Sequence, residues 1–244
     1  MDRLLSAVLE AHGGLDNWEE TTCITAQMSL GGPFWEARGW PGVYADQTVT
    51  LDPHRQHITF TPFPHAGHVS VLDVEPERIR ITDLNGKTIE ERAHPRDSFP
   101  ANFNEHTTRW DAIQLAYFTS AAVWNYLTAP FVFTLPGVEA HEIAPWTEST
   151  QIWRRLAVTF PTTLATHNAE QVFYFDREFM QRRMDYSPDV TGNPPIAQYA
   201  YDHKPFDGFV FPTQCRVHRH DANGAAHLQS AAITLSIAHI RVDR

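Results

Sequence analysis

Apolar and polar residues alternate with a period of two through most of the chain, and one stretch in the middle departs from that rhythm. Ile24, Ala26, Met28 and Leu30 alternate with Cys23, Thr25, Gln27 and Ser29, as in a strand that buries one face. Gly31-Gly32-Pro33 interrupts the run. Further strands are predicted over residues 34–40, from Val43 through Ala45, Gln47 and Val49 to Leu51, and around Ile58 and Phe60, with turns at Pro41-Gly42 and Asp52-Pro53. Residues 78–82 and 87–90 flank Asn85-Gly86, a strong hairpin signal. The result is five or six strands in an antiparallel meander, because parallel neighbours would need crossover helices. Ahead of them Leu4, Leu5, Val8 and Leu9 recur at helical spacing, Gly13-Gly14 stops the helix, and residues 15–20 add a turn carrying Trp18.

Residues 110–127 contain neither Gly nor Pro, and Ile113, Ala116, Tyr117, Ser120, Ala121 and Trp124 give an apolar stripe at helical spacing. One long helix lying across a sheet is predicted there, ended by Pro130. Pro136-Gly137 and Pro145 mark a loop, after which strands resume at residues 152–160, 171–176, 182–186, 197–202, 209–218 and 231–242. Strands on both sides of one helix, with no linker rich in Gly and Ser, predict a single α+β domain over residues 1–244.

The charge balance narrows the partners. With 19 basic against 29 acidic residues the formal charge is −10, which argues against nucleic acid and anionic membrane surfaces. No apolar run reaches the length of a membrane span, so stable insertion into a membrane is not expected. The start, Met1-Asp2-Arg3-Leu4-Leu5-Ser6, lacks a basic segment followed by a long apolar one, and only two cysteines, Cys23 and Cys215, are present. A reduced, cytoplasmic chain is the expectation.

The order of elements resembles the bacterial lipoprotein-carrier fold, LolA- and LppX-like, and uncharacterised bacterial proteins related to it. The residues that carry the likeness are Ala11-His12-Gly13-Gly14 closing the first helix, the turn through Trp18, and the long meander. Val172-Phe173-Tyr174-Phe175-Asp176, Arg183-Met184-Asp185-Tyr186, and Asp207-Gly208 leading to Pro212-Thr213 add to it. The resemblance implies an open half-barrel of about 10–11 antiparallel strands, strongly curved around the long central helix and enclosing an apolar cavity. Carriers of that group are exported, so the shape is expected to carry over without the lipoprotein-shuttling role.

Histidine is abundant, at 14 residues, but its spacing does not make a metal site. His54/His57 and His65/His68 lie beside prolines that oppose a helix, and in a strand an odd separation sends the rings to opposite faces. His218 and His220 share a face, predicted to be the one toward water. No metal and no cofactor are expected. There is no Gly-x-Ser-x-Gly elbow, and both cysteines fit structural roles.

Aromatic side chains, 12% of residues, are the better clue, since a half-barrel tends to leave an apolar pocket with few polar anchors. The candidate lining is Trp35, Gln47, Phe60, Trp124, Tyr126, Phe173, Phe175, Tyr199 and Tyr201, with the opening near the long helix. The first expectation is binding of a lipophilic small molecule or acyl chain. The alternative is a cofactor-independent isomerase, cyclase or hydrolase using Asp185, Tyr199 and His203 as acid–base groups on a lipophilic metabolite. A third reading, a protein-interaction module, rests on exposed edge strands. Ligand identity and oligomeric state are left open by the residues.

Overall fold

Helix α1 (Arg3–Ala11) starts where the Asp2 carboxylate accepts the Leu4 amide at 2.7 Å, filling one of the free donors of the first turn. It buries Leu4, Leu5, Val8 and Leu9. A computed structural model describes residues 2–244 of the protein. After α1 the chain must turn against a strand that comes much later in the sequence. A Cβ on Gly13, whose φ is 127°, would stand 2.6 Å from the Phe209 ring and 2.7 Å from the Gly208 carbonyl, so only glycine fits there. Helix α2 (Leu15–Glu19) then lays Trp18 flat on Phe131 at 4.2 Å.

Six strands follow as a meander: β1 (Cys23–Gly31), β2 (Gln47–Asp52), β3 (His57–Thr61), β4 (His68–Val74), β5 (Glu77–Asp83) and β6 (Thr88–Ala93). A short helix, α3 (Pro33–Arg38), sits between β1 and β2. The long helix α4 (Ala112–Thr128) comes next, and a second meander follows it. That series is β7 (Glu139–Glu148), β8 (Gln151–Thr159), β9 (Glu170–Phe175), β10 (Gln181–Tyr186), β11 (Ile196–Phe206), β12 (Phe209–Arg219) and β13 (Ile233–Asp243). All 13 strands form one antiparallel sheet in the order β6-β5-β4-β3-β2-β1-β13-β12-β11-β10-β9-β8-β7. The meanders join where β1 pairs β13, from Cys23 opposite Asp243 to Gly31 opposite Thr234. The edges β6 and β7 stay unpaired, so the half-barrel is open, and the chain crosses its hollow as α4 on the way from one edge to the other.

Helix α4 begins with a capping box in which Asp111 accepts the Gln114 amide and Gln114 accepts the Asp111 amide. Almost every side chain from Ile113 to Thr128 is buried, on all sides of the helix rather than on one stripe. This is the burial of a helix held inside a curved sheet. The main core gathers these residues with the inward positions of both meanders, among them Ile24, Val49, Phe60, Leu72, Leu156, Phe173, Phe175 and Ile240. Among the described residues no helix is long and apolar enough to cross a membrane.

Three features differ from the sequence-based expectation. The strands number 13, not 10 or 11. One falls where the prolines predict a loop: β7, an edge strand whose side chains are exposed or half-buried with no alternation, and whose register slips between Ile143 and Trp146 around Pro145. Residues 34–40 form not a strand but α3 and its end: Pro33 occupies the first turn and Gly39 caps the helix at φ 97°. Finally, His218 is buried although it lies on the outward face of β12. Its Nδ1 lies 2.9 Å from the Ser230 carbonyl, beneath the long β12–β13 connection.

Candidate functional site

Helix α4 leans on the β3–β5 side of the hollow and fits the opposite wall less closely. On that wall, strands β1, β13 and β12 offer Met28 and Leu30, then Ile233, Leu235 and Ile237, then Phe211, Cys215 and Val217. These are alternate residues of each strand, so they share the inward face. From the helix come Phe118, Ala122 and Tyr126, spaced one turn apart. Between the two sets lie three consecutive voids. The outermost, about 200 Å³, opens to solvent. It shares Phe118, Val217 and Ile233 with a void of about 20 Å³, which shares Tyr126, Cys215 and Leu235 with one of about 10 Å³. Each of the two inner voids has room for about one water molecule.

The mouth is framed by α3, by residues 103–106 and by the ends of β11, β12 and β13. Because α3 is a helix, Arg38 lies on the same face as Phe34, four residues earlier. Its guanidinium stacks within 4.6 Å of the Phe103 ring and 5.2 Å of Phe34. Arg38 is only 1% exposed. Its Nη2 donates to the Glu105 carbonyl, while Nε and Nη1 have no hydrogen-bond partner. The Glu105 carboxylate pairs with Arg219 across the mouth.

Three titratable groups line the inner voids, and burial keeps each of them neutral. It raises Tyr126, whose hydroxyl lies 3.3 Å from that of Tyr186, and pushes the Cys215 thiol up to about 12. His167 stacks on Tyr186 at 4.9 Å, and burial, aided by Arg96, brings its imidazole down from 6.5 to about 3. Below pH 6.5 the unfolded chain takes up a proton at this ring that the folded chain refuses until about pH 3. Stability is therefore lost as the pH falls through that window. His203 behaves likewise, held at about 4 by burial and then by Arg182 and His12. A His167→Phe variant is expected to show a flatter decline of Tm between pH 6.5 and 4 than the parent. Superimposable profiles would contradict this assignment.

The other predicted positions are distributed over both faces of the sheet. Trp35 lines the middle void, and its Nε1 donates to the Gly31 carbonyl at 3.0 Å. Trp124 points to the far side of α4, donating to the Asp52 carbonyl at 2.8 Å. Phe60 packs on Tyr44, Phe173 packs on Phe133, and Phe175 is buried in the main core. Gln47 donates to the Val43 carbonyl at 3.2 Å and leaves Oε1 unpaired. None of these last five touches the row of voids.

Tyr199 and Asp185 face outward, where Trp153, Tyr174, Ala197 and Tyr199 form a second small core. At its centre is Arg183, with a fully buried side chain. It bonds both carboxylate oxygens of Asp185 at 2.6 and 2.9 Å, the Tyr199 hydroxyl at 3.2 Å and the Gly224 carbonyl at 2.7 Å. Tyr199 in turn donates to Glu148 at 2.7 Å, and Tyr174 to Asp185 at 2.6 Å. His203 stands apart, near His12, Arg182 and Asp176.

Tyr199 and Tyr201 instead border an outer cleft of about 950 Å³ with Ile152, Trp153, Asp176 and Arg182. That cleft is larger than the inner voids, but it is open, and its charges already pair, Arg182 with Asp176 at 2.5 Å. The two inner voids are far smaller but are more enclosed and lined mostly by apolar side chains. The histidines are also dispersed. His54 Nε2 lies 2.8 Å from the Thr21 carbonyl, and His57 Nδ1 lies 2.7 Å from Asp73. Among the described residues no three His, Cys, Asp or Glu side chains gather as metal ligands.

Sequence reasoning missed Arg38, Phe118, His167 and the Glu105–Arg219 pair. The available signal was Pro33 and Gly39 at a helix's spacing, which puts Arg38 on the aromatic face of α3.

An open antiparallel half-barrel wrapped around one helix defines this as a LolA-like fold. Crystal structures of similar shape include a LolA superfamily protein from Nitrosomonas europaea, with TM-score 0.52 and 8% identity over 98% of this chain and 93% of that one. A protein domain from Vibrio parahaemolyticus, described as outer membrane lipoprotein-sorting, gives TM-score 0.54 and 9% identity over 98% and 92%. A DUF1329 family protein from Desulfovibrio piger gives 0.52 and 12% over 100% and 94%. No family model and no curated protein matches the sequence.

Proposed function

We propose that the protein binds a hydrophobic small molecule or acyl chain in the half-barrel, between α4 and strands β1, β13 and β12. The observation that carries this reading is a solvent-open mouth of about 200 Å³ with two small, mostly apolar voids in line behind it. A flexible chain would enter by parting the side chains between α4 and this wall, because each inner void has room for only about one water. The description of the Vibrio domain as lipoprotein-sorting supports a lipophilic ligand for this fold. Binding is favoured over catalysis because no carboxylate lines the two inner voids. The Tyr, His and Cys found there are held in their neutral forms by burial.

Organic extraction and native mass spectrometry of the purified protein are expected to release a lipophilic compound. After extraction, Nile red is expected to bind saturably and to be displaced by laurate or palmitate. A protein that releases nothing and gives no saturable Nile red signal would overturn the reading.

A further inference from the structure

We propose that the ligand is a single-chain amphiphile with a carboxylate head, and that the head binds at the mouth between Arg38 and Arg219, in the place now taken by Glu105. The inference rests on the reading above and adds to it the chemistry of the ligand's polar end.

A buried guanidinium ordinarily has an anionic partner, because an unpaired charge away from water is costly. Arg38 forms no ion pair: its one hydrogen bond goes to a backbone carbonyl, Nε and Nη1 are unpaired, and the nearby Glu105 carboxylate is engaged with Arg219. Three aromatic rings surround it, Phe103, Phe34 and Trp110, at 4.6, 5.2 and 5.5 Å. They attract a cation more weakly than a carboxylate does. Two more arginines add positive charge nearby. Arg219 lines the same mouth, and Arg109 bonds the Ala37 carbonyl beside Arg38.

Glu105 already acts on both arginines, its carbonyl on Arg38 and its carboxylate on Arg219. It sits in a segment whose side chains from residue 101 to 107 are exposed except for half-buried Phe103. So little burial makes the segment easy to displace. A ligand carboxylate would take over the pair with Arg219, and moving Phe103 and the Glu105 carbonyl would free the planar donor edge of Arg38 for two parallel bonds. Directly behind lie Phe118, Val217 and Ile233, the side chains shared by the mouth and the first inner void. Head and tail are thus specified by adjoining surfaces.

The test compares laurate with dodecanol, which has the same chain without the charge, by displacement of Nile red from the extracted protein. Laurate is expected to bind at least about tenfold more tightly, the usual worth of a charge-assisted hydrogen bond. The gap is expected to close in Arg38→Met and to narrow in Arg219→Gln, whose exposed side chain makes the change safe for folding. Glu105→Gln is expected to widen it by removing the competing carboxylate. Equal affinities for laurate and dodecanol in the parent protein would overturn the proposal while leaving the hydrophobic site standing. So would a gap that survives in both arginine variants, with folding verified by circular dichroism. If neither compound displaces the dye and the dye itself does not bind, the underlying reading fails as well.

Discussion

Arg183→Ala is expected to destabilise the protein by about 3–5 kcal/mol, the usual cost of breaking a buried ion pair from one side. The substitution would strand several groups at once. The Asp185 carboxylate would lose both its bonds to the guanidinium, the Tyr199 hydroxyl one neighbour, and the Gly224 carbonyl its partner. The aromatic rings of Trp146, Tyr174 and Tyr199, all within 5.5 Å of the guanidinium carbon, would border the resulting hole. Urea unfolding of Arg183→Ala, Asp185→Ala and the double variant would separate the pair's coupling from the individual losses. A loss below about 1 kcal/mol, the range of exposed ion pairs, would show that water reaches the cluster. The network also sets the chemistry of the outer face. Its donors and acceptors, Asp185 and Tyr199 among them, are largely paired with one another.

Ala122→Phe is expected to weaken binding of Nile red and of acyl chains by at least about tenfold, roughly the free energy of burying one large side chain's worth of apolar contact. Ala122 lines the middle void, one helical turn from both Phe118 and Tyr126. A benzyl group cannot fit in about 20 Å³, so the ring must push into the path between mouth and interior. The fold would be strained by about 1–3 kcal/mol, as overpacked cores are. Trp124→Phe provides the contrast, because Trp124 faces Asp52 on the other side of the helix. It is expected to lower Tm and leave the affinity of the folded protein unchanged. If Trp124→Phe abolished binding and Ala122→Phe did not, the ligand path would lie on the β2 side of α4.

The sequence made the architecture legible wherever burial was one-sided. Alternation in β1 and helical spacing in α4 follow directly from a single core. It failed where that assumption failed. Strands β8 to β11 bury side chains on both faces, Phe173 and Phe175 inward but Tyr174 and Tyr199 outward. Period two therefore could not say which aromatics meet the hollow, and Tyr199 and Tyr201 were assigned to the wrong side of the sheet. Strand β7 carries no alternation because neither of its faces is buried. The mouth was hidden for another reason. Its parts come from α3, from an exposed segment some 67 residues later, and from β12. Only the long-range pairing of β1 with β13 brings them to the same end of the hollow.

That pairing has a consequence for the order of events during synthesis. Residues 233–243 leave the ribosome after the other twelve strands, yet they join the two meanders and supply one wall beside α4. A nascent chain can complete its hairpins early, but the half-barrel is not continuous until β13 has emerged. A chain cut short before Ile233 would be left as two unjoined curved sheets with apolar faces open to water.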